Sequence, residues 1–293
     1  MIIDVTGLKK RFKQQEVLKN ITFKIEEPKI VALVGPNGSG KTTMMNCLMN
    51  LLPFQEGHIK ILGKDHKDPS IFYEVSYLQD NRVLYGDLTG EDHLKFICHA
   101  QKLPIKKAKE VAEYIGMDSY AKKRVRSYSL GMKQHLLLAM AVLNNPKLIL
   151  LDEPINGLDP TSSIQMRNIL MDLHAKGTTV IISSHNLEEI DKMTNTIYFM
   201  KDGKILEESL EDFNVPHYTV TVSEPEKANA VFTAACLHVE QSGNRLIFSE
   251  NKIPLQRAID ALNQNEIEIL HIENKKIGAE RRYMELFESE LSS

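Results

Sequence analysis

Apolar residues follow two different patterns along this chain, and the change falls soon after Gly203. In the first part the runs are continuous: Ile30-Val-Ala-Leu-Val34, Leu148-Ile-Leu-Leu151 and Thr178-Thr-Val-Ile-Ile182 show little alternation. Strands of that kind are buried on both faces, as in a parallel sheet. The apolar stretches at 44–49 and 136–143 predict helices. In the last part the pattern alternates. Tyr218-Thr-Val-Thr-Val222 reads as a strand and residues 225–237 as a helix, with a hairpin of 238–241 and 245–249 around Ser242-Gly243-Asn244. Residues 254–262 then predict a helix, 267–272 a strand and 279–291 a final helix.

Composition changes this picture little. Of 293 residues, 42% are hydrophobic and 26% charged, which suits packed cores and argues against disorder. The length allows one large domain or two ordinary ones. A net charge of −3 leaves no basic footprint for nucleic acid, so none is expected as a partner. Cys47, Cys98 and Cys236 lie far apart without metal-ligand spacing and read as reduced thiols of a cytosolic protein. No run reaches the ~20 apolar residues of a membrane span, and the start MIIDVTGLKK lacks a signal-peptide core. Any membrane role is expected to come through a partner.

Chemistry appears where the continuous strands end. Val34 is followed by Gly35-Pro36-Asn37-Gly38-Ser39-Gly40-Lys41-Thr42-Thr43, between a predicted strand and a predicted helix, as a P-loop requires. The glycines let successive N–H groups converge on phosphate oxygens. Lys41 is expected to reach the β- and γ-phosphates, and the Thr42 hydroxyl to coordinate Mg²⁺. The next strand ends in Asp152-Glu153-Pro154. Asp152 suits the Mg²⁺ shell, and Glu153 suits the polarisation of an attacking water. The strand after that delivers Ser183-Ser184-His185, which puts His185 on the sheet edge where ligands sit, a candidate γ-phosphate contact.

A second anion-gripping stretch is Ser127-Tyr-Ser-Leu-Gly-Met-Lys-Gln-His135, ahead of the 136–143 run. With it, residues 1–215 resemble the ATP-binding cassette (ABC) ATPases. The stretch resembles that family's signature, with Ser129 and Gly131 on its Ser and second Gly. Asn156-Gly-Leu-Asp159 resembles the D-loop, with Asn where Ser or Thr is commoner. Ser184-His185 resembles the switch histidine, and Phe12 occupies the place of the aromatic that stacks on adenine. At the glutamine that contacts Mg²⁺ in the family, the candidates are Gln79 and Asp80, and both stay open.

The resemblance implies an α/β fold. Its P-loop ATPase core would have a mostly parallel sheet with an N-terminal antiparallel portion, and a helical subdomain would fill about 87–143. Residues 216–293 would add a small α+β domain in ferredoxin-like β-α-β-β-α-β order. It implies ATP and Mg²⁺ as ligands and a transmembrane permease as partner. A second ATPase protomer would receive the signature across a head-to-tail dimer. The chain would then sit in the cytoplasm, peripheral on the inner face of the membrane. The signature form resembles exporters of drugs, bacteriocins and amphipathic peptides, including the phenol-soluble-modulin type. The alternative is a soluble ABC ATPase of translation or repair; it is opposed by the single P-loop and the absence of zinc cysteines. Residues 102–126 carry eight Lys/Arg against three acids, either a solvated helix face or a surface near anionic lipid or the permease.

Overall fold

The computed structural model describes residues 1–79, 83–210, 216–235, 237, 239–250, 252–276 and 278–287. The chain divides into two compact units, Met1–Glu208 and Ser209–Ser293. The first unit begins with β1 (Ile3–Phe12), β2 (Gln15–Ile25), β3 (Ile30–Val34), α1 (Lys41–Leu48), β4 (Glu56–Ile61), β5 (Lys64–Asp65) and β6 (Val75–Leu78). Three helices follow: α2 (Gly90–Ala100), α3 (Lys106–Ile115) and α4 (Leu130–Val142). The unit closes with β7 (Leu148–Asp152), α5 (Pro160–Ala175), β8 (Thr179–Ser183), α6 (Leu187–Asp191), β9 (Thr196–Lys201) and β10 (Lys204–Ser209).

Two sheets make this unit. One is antiparallel, ordered β2-β1-β4-β5. The other is ordered β10-β9-β3-β8-β7-β6 and is parallel from β9 to β6. Every residue of β3 and β8 is buried, as their continuous apolar runs require. Ile3, Leu8, Leu18 and Ile25 of the first sheet join Leu33, Leu150 and Ile181 of the second in one core, packed with Met44, Met45 and Leu48 of α1. Each such side chain contributes about 1.5–3 kcal/mol on leaving water. Helix ends are set locally. Thr89 and Asp92 form a capping box at α2, Gly116 ends α3 in the left-handed region, and Asp159 caps α5 with Pro160 in its first turn.

Register decides where the strands deliver their ends. Leu78 pairs with Leu151, Asp152 with Ser183, and Ser183 with Leu33. Gln79, Asp152, Ser183 and the start of the Gly35 loop therefore emerge side by side on one edge of the sheet.

The second unit contains β11 (Pro216–Val222), α7 (Pro225–Ala234), β12 (Glu240–Ser242), β13 (Arg245–Ser249), α8 (Leu255–Gln264), β14 (Ile269–Lys276) and α9 (Ala279–Phe287). Its antiparallel sheet is ordered β12-β13-β11-β14, the arrangement of a ferredoxin-like unit. Val220, Val222, Phe232, Leu246, Phe248 and Leu262 form a separate core. Two boundaries differ from the sequence reading. The helix over 225–237 stops at Ala234, and the strand over 267–272 runs instead from Ile269 to Lys276. Pairing with β11, from Val222↔Ile269 to Pro216↔Lys276, carries that strand through residues whose alternation is lost. Residues 288–291 and Cys236 lie outside the described residues, while Cys47 and Cys98 are buried free thiols.

Phe232 is fully buried in the second core and takes no part in the first. Phe232→Ala is expected to destabilise the second unit by about 3–5 kcal/mol. Denaturation followed by a probe in each unit should show only the second transition shifting. An equal shift of both transitions would contradict two separate cores.

Candidate active site

The loop after β3 is built around backbone rather than side chains. A Cβ on Gly35 would lie 2.6 Å from the Met200 carbonyl oxygen, so only glycine fits there. Gly40 stands at the start of α1 with φ 107 and offers no capping side chain. The first-turn N–H groups of α1 therefore face the loop uncapped. The Ser39 hydroxyl is buried without a hydrogen-bond partner. Lys41 is buried and donates from Nζ to the Gly35 carbonyl at 2.7 Å and to that of Pro36 at 3.2 Å. Burial lowers its pKa, and the charges of Glu153 and Asp152 oppose that shift. A helix N-terminus, an orphaned hydroxyl and a buried ammonium together suit a chain of phosphates.

Beside this loop lie the two acids. Asp152 accepts from Thr42 Oγ1 on Oδ2 at 2.6 Å and from Ser183 Oγ on Oδ1 at 2.5 Å. The fully buried Ser183 hydroxyl also accepts from the Glu153 amide at 3.0 Å. One hydroxyl thus ties the carboxylate of the first acid to the backbone of the second. Glu153 has φ 52, a left-handed conformation uncommon outside glycine. That turn leads its side chain away from the strand to His185, whose Nε2 meets Glu153 Oε2. Asn156 Nδ2 donates to the same Oε2 at 3.2 Å. Thr42, Gln79, Asp152, Glu153 and Asn156 line one cleft of about 460 Å³, closed on another side by Leu130 and Gln134 of α4.

The remaining candidates fall around this cleft. Gln79 donates to Asn46 Oδ1 of α1 at 2.7 Å, and the Tyr77 hydroxyl donates to the same oxygen at 3.2 Å. Burial pushes the Tyr77 pKa up to about 12, so its hydroxyl stays protonated. Asp80 lies outside the described residues. Phe12 is 44% exposed at the end of β1, with Lys10 Nζ 4.6 Å from its ring centroid. The β1–β2 hairpin that carries it reaches the loop through Val17 and Leu18, each with an atom 3.1 Å from where a Gly40 Cβ would be. Asn37, Gly38 and Thr42 are exposed, and Thr43 is half-buried.

Ser129 caps α4, accepting from the Met132 amide at 3.2 Å, so one backbone donor of this stretch is already used within the chain. Gly131 is buried rather than open: a Cβ there would lie 2.7 Å from Ser162 Oγ. That hydroxyl donates to Asp159 at 2.7 Å, which holds the Asp159 pKa down. A Cβ on Gly157 would lie 3.1 Å from the Leu130 side chain. The start of α4 and the loop before α5 therefore form one packed seam.

The sequence pointed to no role for Asn46 or Ser183, and it placed Asn156 in the D-loop resemblance without a contact of its own. Asn46 had a signal, as the lone polar side chain among the hydrophobic and sulfur-bearing residues of Met44-Met-Asn-Cys-Leu-Met49. The Ser183 bridge depends on the register of β7 and β8, which no local pattern encodes.

The family described as "ABC transporter" matches residues 18–156. The chain is 34% identical to YcbN of Bacillus subtilis (strain 168), named an uncharacterized ABC transporter ATP-binding protein, over 97% of this chain and 96% of that one. It is 34% identical to the bacitracin transport ATP-binding protein BcrA of Enterococcus faecalis, over 79% of this chain and 73% of that one. It is 32% identical to the lantibiotic transport ATP-binding protein SrtF of Streptococcus pyogenes, over 72% of this chain and 92% of that one. Among solved structures, an ATP-binding subunit of an ABC transporter superposes with a TM-score of 0.67 at 26% identity, over 73% of this chain and 92% of that one.

Gly35→Ala tests how tightly the loop is built. Besides Ser39 Oγ at 2.8 Å, the added methyl meets the Met200 backbone carbonyl at 2.6 Å, which cannot swing away, so the loop must move. A thermal midpoint lowered by several degrees, from roughly 1–3 kcal/mol of overpacking, is expected. An unchanged midpoint and an undisturbed Lys41 environment would show that the loop has slack.

Proposed function

Because the chain belongs to the family of ABC transporter ATP-binding proteins, ATPases that hydrolyse ATP to power transport, we propose a division of labour among its site residues. The phosphates of ATP take the 35–43 loop. Lys41 exchanges its two loop carbonyls for the β- and γ-phosphates, and Phe12 stacks on adenine. Glu153 accepts a proton from the water that attacks the γ-phosphorus, and His185 contacts the γ-phosphate. The observation that carries this reading is the unbroken set of contacts from Thr42 through Asp152, Ser183 and Glu153 to His185.

The donor set also suits Mg²⁺. Thr42 and Asp152 offer two hard oxygens that already meet at 2.6 Å, and Mg²⁺ takes its other ligands from phosphates and water. When bound, it would neutralise charge on the β- and γ-phosphates. Gln79 spends its amide on Asn46, which leaves its carbonyl oxygen for the cleft.

Two partners complete the reading. Ser129 and Gly131 serve the nucleotide of a second protomer: Leu130 and Gln134 line this chain's own cleft, whereas Ser129 and Gly131 do not. A transmembrane permease docks on an apolar groove of about 330 Å³ lined by Leu51, Phe72, Val83, Ile97 and Leu137, which reaches Gln79 at one end. Among the described residues no helix is long and apolar enough to cross a membrane, so the permease would hold the chain at the inner face. A peptide cargo is supported by the relatives named for bacitracin and lantibiotic transport. A soluble ABC ATPase without membrane subunits is not favoured.

Glu153→Gln is expected to keep ATP binding and to slow turnover by about 10²–10⁴-fold, the range of a lost general base. Lys41→Ala should weaken nucleotide binding itself. Steady-state hydrolysis with fluorescent-nucleotide titration separates the two. Near-normal turnover by Glu153→Gln would remove that residue from its role.

Mixing tests the second protomer. Ser129→Asp preserves an N-cap, since Asp caps as well as Ser, and adds a charge that repels phosphate. A Lys41→Ala chain and a Ser129→Asp chain should each fail to occlude ATP alone. Their mixed dimer concentrates both lesions in one site and leaves the other intact, so occlusion should return. With mixed dimers demonstrated and no occlusion recovered, the signature does not act across chains.

A further inference from the structure

We propose that Asn156 is a positioning residue for Glu153, selecting which carboxylate oxygen faces the attacking water. This rests on the reading of Glu153 as the base. Glu153 leaves β7 in the left-handed region, held there by the hydrogen bond its amide donates to Ser183 Oγ at 3.0 Å. A side chain launched from such a turn still has free rotation about its own bonds. Two nitrogens then converge on a single oxygen: His185 Nε2 in an ion-pair contact and, as a hydrogen-bond donor at 3.2 Å, Asn156 Nδ2 both meet Oε2. No described residue donates to Oε1. With both nitrogens on one oxygen, the carboxylate plane cannot turn without breaking the Asn156 hydrogen bond and the His185 contact, and Oε1 is the acceptor left for water in the cleft.

Asn156 can act this way because its own position is fixed from both sides. Its amide donates to the Glu153 carbonyl at 3.3 Å, and the Leu158 amide donates to that of Ile155 at 3.3 Å. Ile155 is buried. Gly157, at φ 72, lies under Leu130, and Asp159 caps α5 beyond it. The side chain type follows from the chemistry. An amide brings an N–H to Oε2 without charge, whereas a carboxylate in its place would repel Glu153 at the same distance.

The full-length chain gives the test. Asn156→Ala should lower kcat about tenfold or more, toward the ~10²-fold that a 1 Å misplacement costs. KM for Mg-ATP, binding of a fluorescent ATP analogue and the thermal midpoint should stay unchanged. Asn156→Asp, which keeps size and shape but reverses donor to acceptor, should fall further than Ala. Both substitutions are then repeated with Glu153→Gln, reading residual hydrolysis of radiolabelled ATP over long single turnovers. There they should add no further loss, because the carboxylate they orient is gone. Equal losses in both backgrounds, or an Asn156→Asp variant as active as the parent, would overturn the positioning role while leaving Glu153 as base. A fully active Glu153→Gln would instead overturn the reading of the base, and with it this proposal.

Discussion

The hydrogen-bonded pairing of Asp152 with Ser183 across β7 and β8 is the contact on which the rest of the site depends. It is a matter of register before it is a matter of chemistry. Parallel strands deliver their carboxyl ends to one edge, and a slip of one residue would turn every side chain to the other face of the sheet. In register, the two oxygens of Asp152 divide between Thr42 on α1 and Ser183 on β8. The Gly35 loop with α1, the acidic strand and the strand that leads to His185 are thereby tied by two hydrogen bonds at a single carboxylate.

That arrangement stores strain and offsets it locally. A left-handed non-glycine residue costs about 1–2 kcal/mol, and Glu153 adopts that conformation at φ 52. An uncharged hydrogen bond from its amide to a buried hydroxyl on one side, and contacts to His185 and Asn156 on the other, hold it. Lys41 shows the same logic. Its burial is unfavourable to the ammonium, yet two loop carbonyls and two nearby acids keep that charge in place.

Much of this was legible in the sequence, and the reason is physical. Buried parallel strands must be continuously apolar, so Ile30–Val34 and Leu148–Asp152 announce themselves, and the glycine loop and the paired acids follow at their ends. Short-range chemistry is readable because it lies within a few residues. What escaped reading spans long separations: the Ser183 bridge joins strands some thirty residues apart, and Gln79, just after β6, is anchored by Asn46 on α1. In the second unit the hairpin was visible from its turn. The far half of β14 was not, because pairing with β11 rather than alternation makes Glu273-Asn-Lys-Lys276 a strand.

The seam between the start of α4 and the loop before α5 has a mechanical meaning. Gly131 leaves no room for a side chain against Ser162, Ser162 is bonded to Asp159, and Leu130 presses on Gly157. The two segments therefore cannot be displaced independently: a push on the helix tip is transmitted to the loop that carries Asn156. In a head-to-tail pair of the kind proposed above, the helix tip of each chain would face the neighbour's nucleotide while its loop would sit beside the chain's own Glu153. Occupancy of one site would then be felt as a displacement at the other, carried by the close packing of Gly131 on Ser162 and of Leu130 on Gly157.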